Sequence, residues 1–296
     1  MLYHPNNIID LMRRRLMGPR PNQRRYPLHR CRGDIKALLQ QVLMLVCLVP
    51  ISLQATELNN GPHPRPFKVI YKADYKGLPI SATGIREFTL VEAEGEQPLY
   101  TLSSSALSIF AKLEEQSDFT LTDTSARPLF YRYDRTGLGK NKNLRLNFDW
   151  TKSLLINPDT EVSWPLTAPN ISDRLLYQFQ LQIDLLNTGP TINLGTTYRY
   201  NVQDEGTLKL YEFTVLAETD LSTPLGSIRT YEVIRSNDRP GRKTRLFLAP
   251  DLEFMLIRFE QTDDEGEGFS LMLEKAFIED SAITASSLRS LSDPKP

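Results

Sequence analysis

The chain has 296 residues, 40% of them hydrophobic, with 35 Lys/Arg against 36 Asp/Glu; this allows one large globular domain or two modest ones. Nine of the basic residues but only two of the acidic ones fall in residues 1–55, leaving 26 against 34 in the remainder, and such an acidic body repels phosphates and excludes a nucleic-acid partner. Cys31, Cys47, His4 and His29 also precede residue 55 and only His63 follows, so the body lacks the side chains for Cys nucleophiles, Ser-His-Asp triads, Cys/His zinc sites and disulfides, and no metal or cofactor is expected.

Residues 1–33 are basic, with Arg13-Arg14-Arg15 and Arg24-Arg25. They read as an arm for an anionic surface or, as we favour, as a long export-signal n-region or an upstream extension. The apolar run 42–49 is too short to span a bilayer and leads to Leu53-Gln54-Ala55, a small-residue cleavage site. A lipidated Cys47 is disfavoured because Val46 stands where a small residue is needed, and Arg13-Arg14 lies too far from the apolar run for a twin-arginine signal. The expected division is an extension plus signal peptide over 1–55, a lead-in over 56–66, a β domain over 67–279 and a disordered polar tail over 280–296. The mature chain would start near Thr56, without a transmembrane span, in the periplasm or outside the cell.

From Phe67 the pattern has period two, Val69, Tyr71, Ala73 and Tyr75 alternating with Lys68, Lys72 and Asp74. A second strand covers 80–91, a turn falls at Glu94-Gly95-Glu96, and 99–121 holds two further strands. Another begins at Arg127, and 136–141 turns the chain; Gly137-Leu138-Gly139-Lys140 lacks a following Ser/Thr and a helix, so it reads as a hairpin loop and not as a phosphate loop. Leu144, Leu146, Phe148 and Trp150 alternate with polar residues in the clearest strand, and 152–166 forms a short hairpin about Asn157-Pro158-Asp159.

Residues 169–190 read as the one long helix. Asn170 or Ser172 can cap it, Asp173 adds negative charge to the first turn, and Gly189-Pro190 ends it. Leu175, Leu176, Phe179, Ile183 and Leu186 form one stripe, with Arg174, Gln178 and Gln182 on the other side. Strands then resume at 196–202, 211–215, 225–234, 242–248, 253–261 and 268–278. In the last pair Met255, Ile257 and Phe259 are expected to share a face with Phe269, Leu271 and Leu273.

The runs Phe148-Asp149-Trp150, Asp173-Arg174-Leu175, Tyr211-Glu212-Phe213-Thr214-Val215, Thr223-Pro224-Leu225-Gly226 and Leu248-Ala249-Pro250-Asp251 together resemble the exported bacterial proteins called domain of unknown function 3108, over roughly residues 67–275. Two positions depart from that pattern: Leu176 stands where Ser is expected, and Leu256-Ile257 where a Pro-Val pair is expected. The resemblance implies an exported, mainly β protein of a Gram-negative envelope and supplies no activity.

The acidic turn at 263–267 lacks the alternating ligand pattern of a calcium loop. Asp149 and Trp150 fall on opposite strand faces and cannot line one pocket without a bulge. The expected architecture is a mainly β single domain: a strongly curved antiparallel sheet or incomplete barrel, with the long helix packed on its concave face. By analogy with periplasmic lipoprotein carriers, the expected role is non-catalytic binding of a lipid-like or amphipathic ligand between helix and sheet. Its contacts would be Trp150, Leu175, Leu176, Phe179 and Ile183, residues that serve equally well as plain core. The alternatives are an envelope scaffold that binds another protein and, ranked last, a glycan hydrolase built on two carboxylates.

Overall fold

Alternating apolar side chains become strands almost wherever the periodicity places them. The computed structural model describes residues 63–292 apart from 77–80, 92–97, 110, 123, 138–140, 190–191 and 239. The expected export segment, its cleavage site and the Thr56 start lie outside these residues, as do the turn at Glu94-Gly95-Glu96 and residues 138–140 of the 136–141 turn. The first eight strands are β1 (Phe67–Lys76), β2 (Ser81–Val91), β3 (Leu99–Leu107), β4 (Ala111–Leu121), β5 (Ala126–Gly137), β6 (Lys142–Asp149), β7 (Leu154–Ile156) and β8 (Ser163–Pro165). There follow β9 (Ile171–Ser172), helix α1 (Leu176–Thr188), β10 (Thr197–Asp204), β11 (Thr207–Thr223), β12 (Gly226–Arg235), β13 (Lys243–Ala249), β14 (Met255–Thr262), β15 (Gly268–Ile278), β16 (Ser281–Ala282) and a second helix, α2 (Ala285–Ser292).

All sixteen strands among the described residues belong to one sheet, ordered β8 to β1 and then β15 down to β9, with β16 paired to β15. Neighbours are antiparallel except β9 and β10, where Ile171 lies opposite Asn201 and Ser172 opposite Val202. This order requires curvature. Fifteen flat strands would extend about 67 Å across the hydrogen-bonding direction, yet β8 and β9 sit at the two ends of the sheet and only the short 166–170 segment joins them, a reach of about 20 Å. The sheet is therefore an open, strongly curved one. Across the gap Lys142 Nζ lies 3.4 Å from Glu205, and the Trp164 ring presses on Gly206 so closely that a Cβ there would stand 2.6 Å from Trp164 Nε1.

Two apolar clusters fill the interior. The first gathers Phe67, Val69, Phe88, Leu102, Phe119 and neighbours with Leu175, Leu176, Phe179 and Ile183. The second gathers Val202, Phe213, Val215, Val233 and Leu246 with Leu181 and Leu185. The helix thus gives apolar side chains to both halves of the sheet, and its polar residues are bound as well. Gln182, set opposite the apolar stripe, is buried and donates to Glu253 O at 2.8 Å; Gln180 accepts from Ala126 N at 2.7 Å.

Three boundaries differ from the sequence reading. The helix starts at Leu176 because Ile171 and Ser172 are drawn into β9, and the cap is Asp173, whose Oδ1 accepts from the backbone N–H of Leu175 and Leu176, both at 2.8 Å. Strand β11 runs on to Thr223 because β12 pairs along that length, around a register shift between Val215 and Ala217. Within the 280–296 tail, expected to be disordered, Ser281–Ala282 form β16 and Ala285–Ser292 form α2. There Ile283 N donates to Ala276 O at 2.8 Å, Thr284 and Ser287 exchange capping bonds, and Ile283 and Leu288 pack on the first cluster. Among the described residues no helix is long and apolar enough to cross a membrane.

Candidate functional site

Because side chains alternate, one face of β1 to β4 points inward as a grid. Pairing sets Phe67, Phe88, Leu102 and Ser117 in one row, then Val69, Arg86, Ser104 and Glu115, then Tyr71, Gly84, Ala106 and Leu113. The end nearest Phe88 is filled by aromatic rings. Phe179 of α1 lies 4.6 Å from Phe88 and 5.4 Å from Phe119 between centroids, and Tyr100 lies 5.9 Å from Phe119. At the next two rows Arg86, Ser104, Glu115, Gly84 and Ala106 take the place of large apolar side chains. There a pocket of about 270 Å³ opens between these strands and β14 and β15.

Leu113, Leu256, Phe259, Phe269 and Leu271 make its apolar walls, and Gly84 and Ala106 make the space. Arg86, Glu115 and Gln178 supply its charged and amide groups. Arg86 Nη2 donates to Gln178 Oε1 at 2.8 Å. Tyr71 is buried and donates its hydroxyl to Leu256 O at 2.8 Å; burial pushes its pKa up to about 12, so it stays neutral. Glu115 accepts from the Tyr131 hydroxyl at 2.5 Å, and burial raises its carboxyl above the ordinary range against the opposing effect of that bond and of Arg174 and Arg86.

Next to this pocket, at the start of α1, lies a sealed acid. Asp173 is fully buried, caps the helix with one oxygen and accepts from Ser117 Oγ at 2.5 Å with the other. Burial raises its pKa to about 6. Arg174 follows it, 4.9 Å above the Tyr133 ring and 3.7 Å from Asp204.

This set of groups can hold an apolar or amphipathic molecule; it contains no nucleophile aligned with a base. Among the described residues no group of three His, Cys, Asp or Glu is placed to hold a metal ion.

The residues singled out from the sequence lie elsewhere. Leu175, Leu176, Phe179 and Ile183 are buried in the first cluster, and none of them lines the pocket. Trp150 is half-buried beyond the end of β6, stacked on Phe148, donating Nε1–H to Pro128 O at 2.7 Å and lying 4.5 Å beneath the Arg127 guanidinium. The α1 residue that reaches the pocket is Gln178, assigned by its period to the polar side. A usable signal was present in the strands: Arg86 and Glu115 have the same parity as Phe88 and Phe119, and a charge at a core-facing position is the informative exception.

The protein-family model described as "Protein of unknown function (DUF3108)" matches residues 70–274, and a search of curated proteins found no match. Among solved structures the chain is similar to a beta-barrel-like protein of domain of unknown function DUF1849 from Brucella abortus, with 10% identity, a TM-score of 0.49, and coverage of 74% of this chain and 100% of that one. A second, described as a "putative lipoprotein" from Parabacteroides distasonis, shares 10% identity at a TM-score of 0.31 and covers 73% of this chain and 97% of its own.

Proposed function

The chain belongs to the DUF3108 family, whose description carries no activity, and from that premise we propose that it binds an apolar or amphipathic ligand without transforming it. The observation that carries this reading is the pocket beside α1, with apolar walls around three convergent polar groups. Its volume of about 270 Å³ falls just below the usual 300–1,000 Å³ of drug-sized sites and well above the roughly 150 Å³ of an apolar cavity that takes benzene. It therefore suits one acyl segment or ring system and not a whole multi-chain lipid. In this reading the curved sheet holds α1 against its concave face as a plug, and the basic, then apolar, segment over 1–55 directs the protein to the bacterial envelope.

The hydrolase alternative loses ground on geometry. It needs two carboxylates in one cleft, whereas Glu115 lines the pocket and Asp173 is sealed at the helix start.

Native mass spectrometry of the purified full-length protein is expected to show a co-purified amphiphile, and a fluorescent apolar probe is expected to bind. Ala106→Trp fills the pocket and should abolish both. Failure of the wild type to bind probe or amphiphile, or full binding by Ala106→Trp, overturns the reading.

A further inference from the structure

We infer that Arg86 makes this pocket selective for single-chain amphiphiles ending in a carboxylate, with the chain against Leu113, Leu256, Phe259 and Leu271 and the head at the guanidinium. This rests on the ligand-binding reading above and names the chemical class that the site takes.

Among the described residues arginines generally have a carboxylate beside them: Arg229 pairs with Asp251 at 2.7 Å, Arg199 with Glu212 at 2.7 Å and Arg242 with Asp238 at 2.8 Å. Arg86 differs. It points inward, and its one recorded bond is the 2.8 Å contact with the neutral Gln178 amide. Among the described residues no ion pair includes it, and the one carboxylate of the pocket, Glu115, feels its charge only at longer range.

Arg86 is half-buried, and most of its five N–H donors are free to bond an incoming anion. Its planar fork matches a carboxylate in two parallel bonds. The next inward position on β2 is Gly84, which has no side chain to screen the guanidinium from the pocket.

Glu115 is the charge that could oppose an anion there. It stands two strands away in the same row, near enough to feel the Arg86 charge, but its carboxylate is turned to the Tyr131 hydroxyl on β5. Burial raises its pKa, which weakens the opposing charge further. One guanidinium beside one amide also suits a monoanion better than a phosphate dianion, which calls for several cationic donors.

Calorimetric titration of the full-length protein at neutral pH with decanoate, 1-decanol and decyltrimethylammonium tests this directly, because the wild-type comparison requires no variant. Decanoate is expected to bind about 10- to 100-fold more tightly than decanol, the range of a charge-assisted bond, and the cation more weakly than either. Arg86→Gln should erase the preference, so that decanoate binds no more tightly than decanol, and Arg86→Lys should fall between, since it keeps the charge without the fork. Equal binding of acid and alcohol by the wild type, or an Arg86→Gln variant of native melting behaviour that keeps full preference for decanoate, overturns the inference and leaves the pocket reading standing. If none of the three probes binds, both fall.

Discussion

The inner faces of β2, β3 and β4 carry two opposite solutions four residues apart. Phe88, Leu102 and Ser117 share one row with the rings of Phe119 and Phe179 close by, whereas Gly84, Ala106 and Leu113 share the row that opens into the pocket. Strand parity and secondary structure are the same at both places. The difference lies in side-chain volume and in what α1 presents. Phe179 drives into the filled end, while Gln178, one residue earlier and about 100° round the helix, reaches the pocket and binds Arg86. Inward alternation thus specifies a surface; whether that surface becomes solid core depends on the facing element.

The largest expected effect tests this contrast on one strand. Phe119 and Leu113 face the same way on β4, but Phe119 is fully buried and Leu113 half-buried at the pocket. Phe119→Ala should cost about 3–5 kcal/mol and Leu113→Ala less than about 2 kcal/mol, because only the first empties a closely packed volume. Urea unfolding reads both, and equal losses would break the comparison.

A slightly smaller effect is expected at Asp173. Burial raises its pKa to about 6, against roughly 3.9 in an unfolded chain. The folded state therefore holds this proton more tightly. The stability it contributes is fully present below the unfolded value and is lost as pH rises through the folded one, a linkage of about 3 kcal/mol. Asp173→Asn removes the charge and keeps an acceptor for the Leu175 and Leu176 N–H groups, so its stability relative to wild type should rise by up to about 3 kcal/mol between pH 4 and pH 7. A pH-independent difference in urea midpoints would show that the acid is not sealed.

The smallest effect sharpens the view of the pocket end. A Cβ at Gly84 would lie 3.5 Å from both Leu271 Cδ2 and Tyr71 Cβ, which is ordinary contact. Gly84→Ala should change stability by less than about 1 kcal/mol, if anything favourably. A loss above about 2 kcal/mol would mean that this end is packed as tightly as the other.

Much of the fold was legible in the residues. The alternation of Leu144, Leu146 and Phe148 becomes β6 with all three buried, and 268–278 is β15 as expected. The helix closes at Gly189, whose φ of 91° suits a residue without a Cβ. The family resemblance drawn from five short runs agrees with the match over residues 70–274. The pocket was not legible: none of the five residues singled out lines it, and Gln178, which does, was set opposite the apolar stripe. An amphipathic stripe predicts one buried face, but α1 gives side chains to clusters in both halves of the sheet, so Gln182 is buried as well and Gln178 half-buried.

The sequence by itself determined the strand alternation, the place of the one long helix and the near absence of thiol and imidazole from the body. These follow from residue identity and from bond geometry within single elements. Tertiary structure alone decided which polar side chains would be enclosed. Ser117 meets Asp173 across 56 residues, Gln182 meets Glu253 across 71, and Arg86 meets Gln178 across 92. No local period carries such separations. They exist because the sheet curves until its two ends are joined by one short segment, which brings residues of remote strands into contact with the same helix.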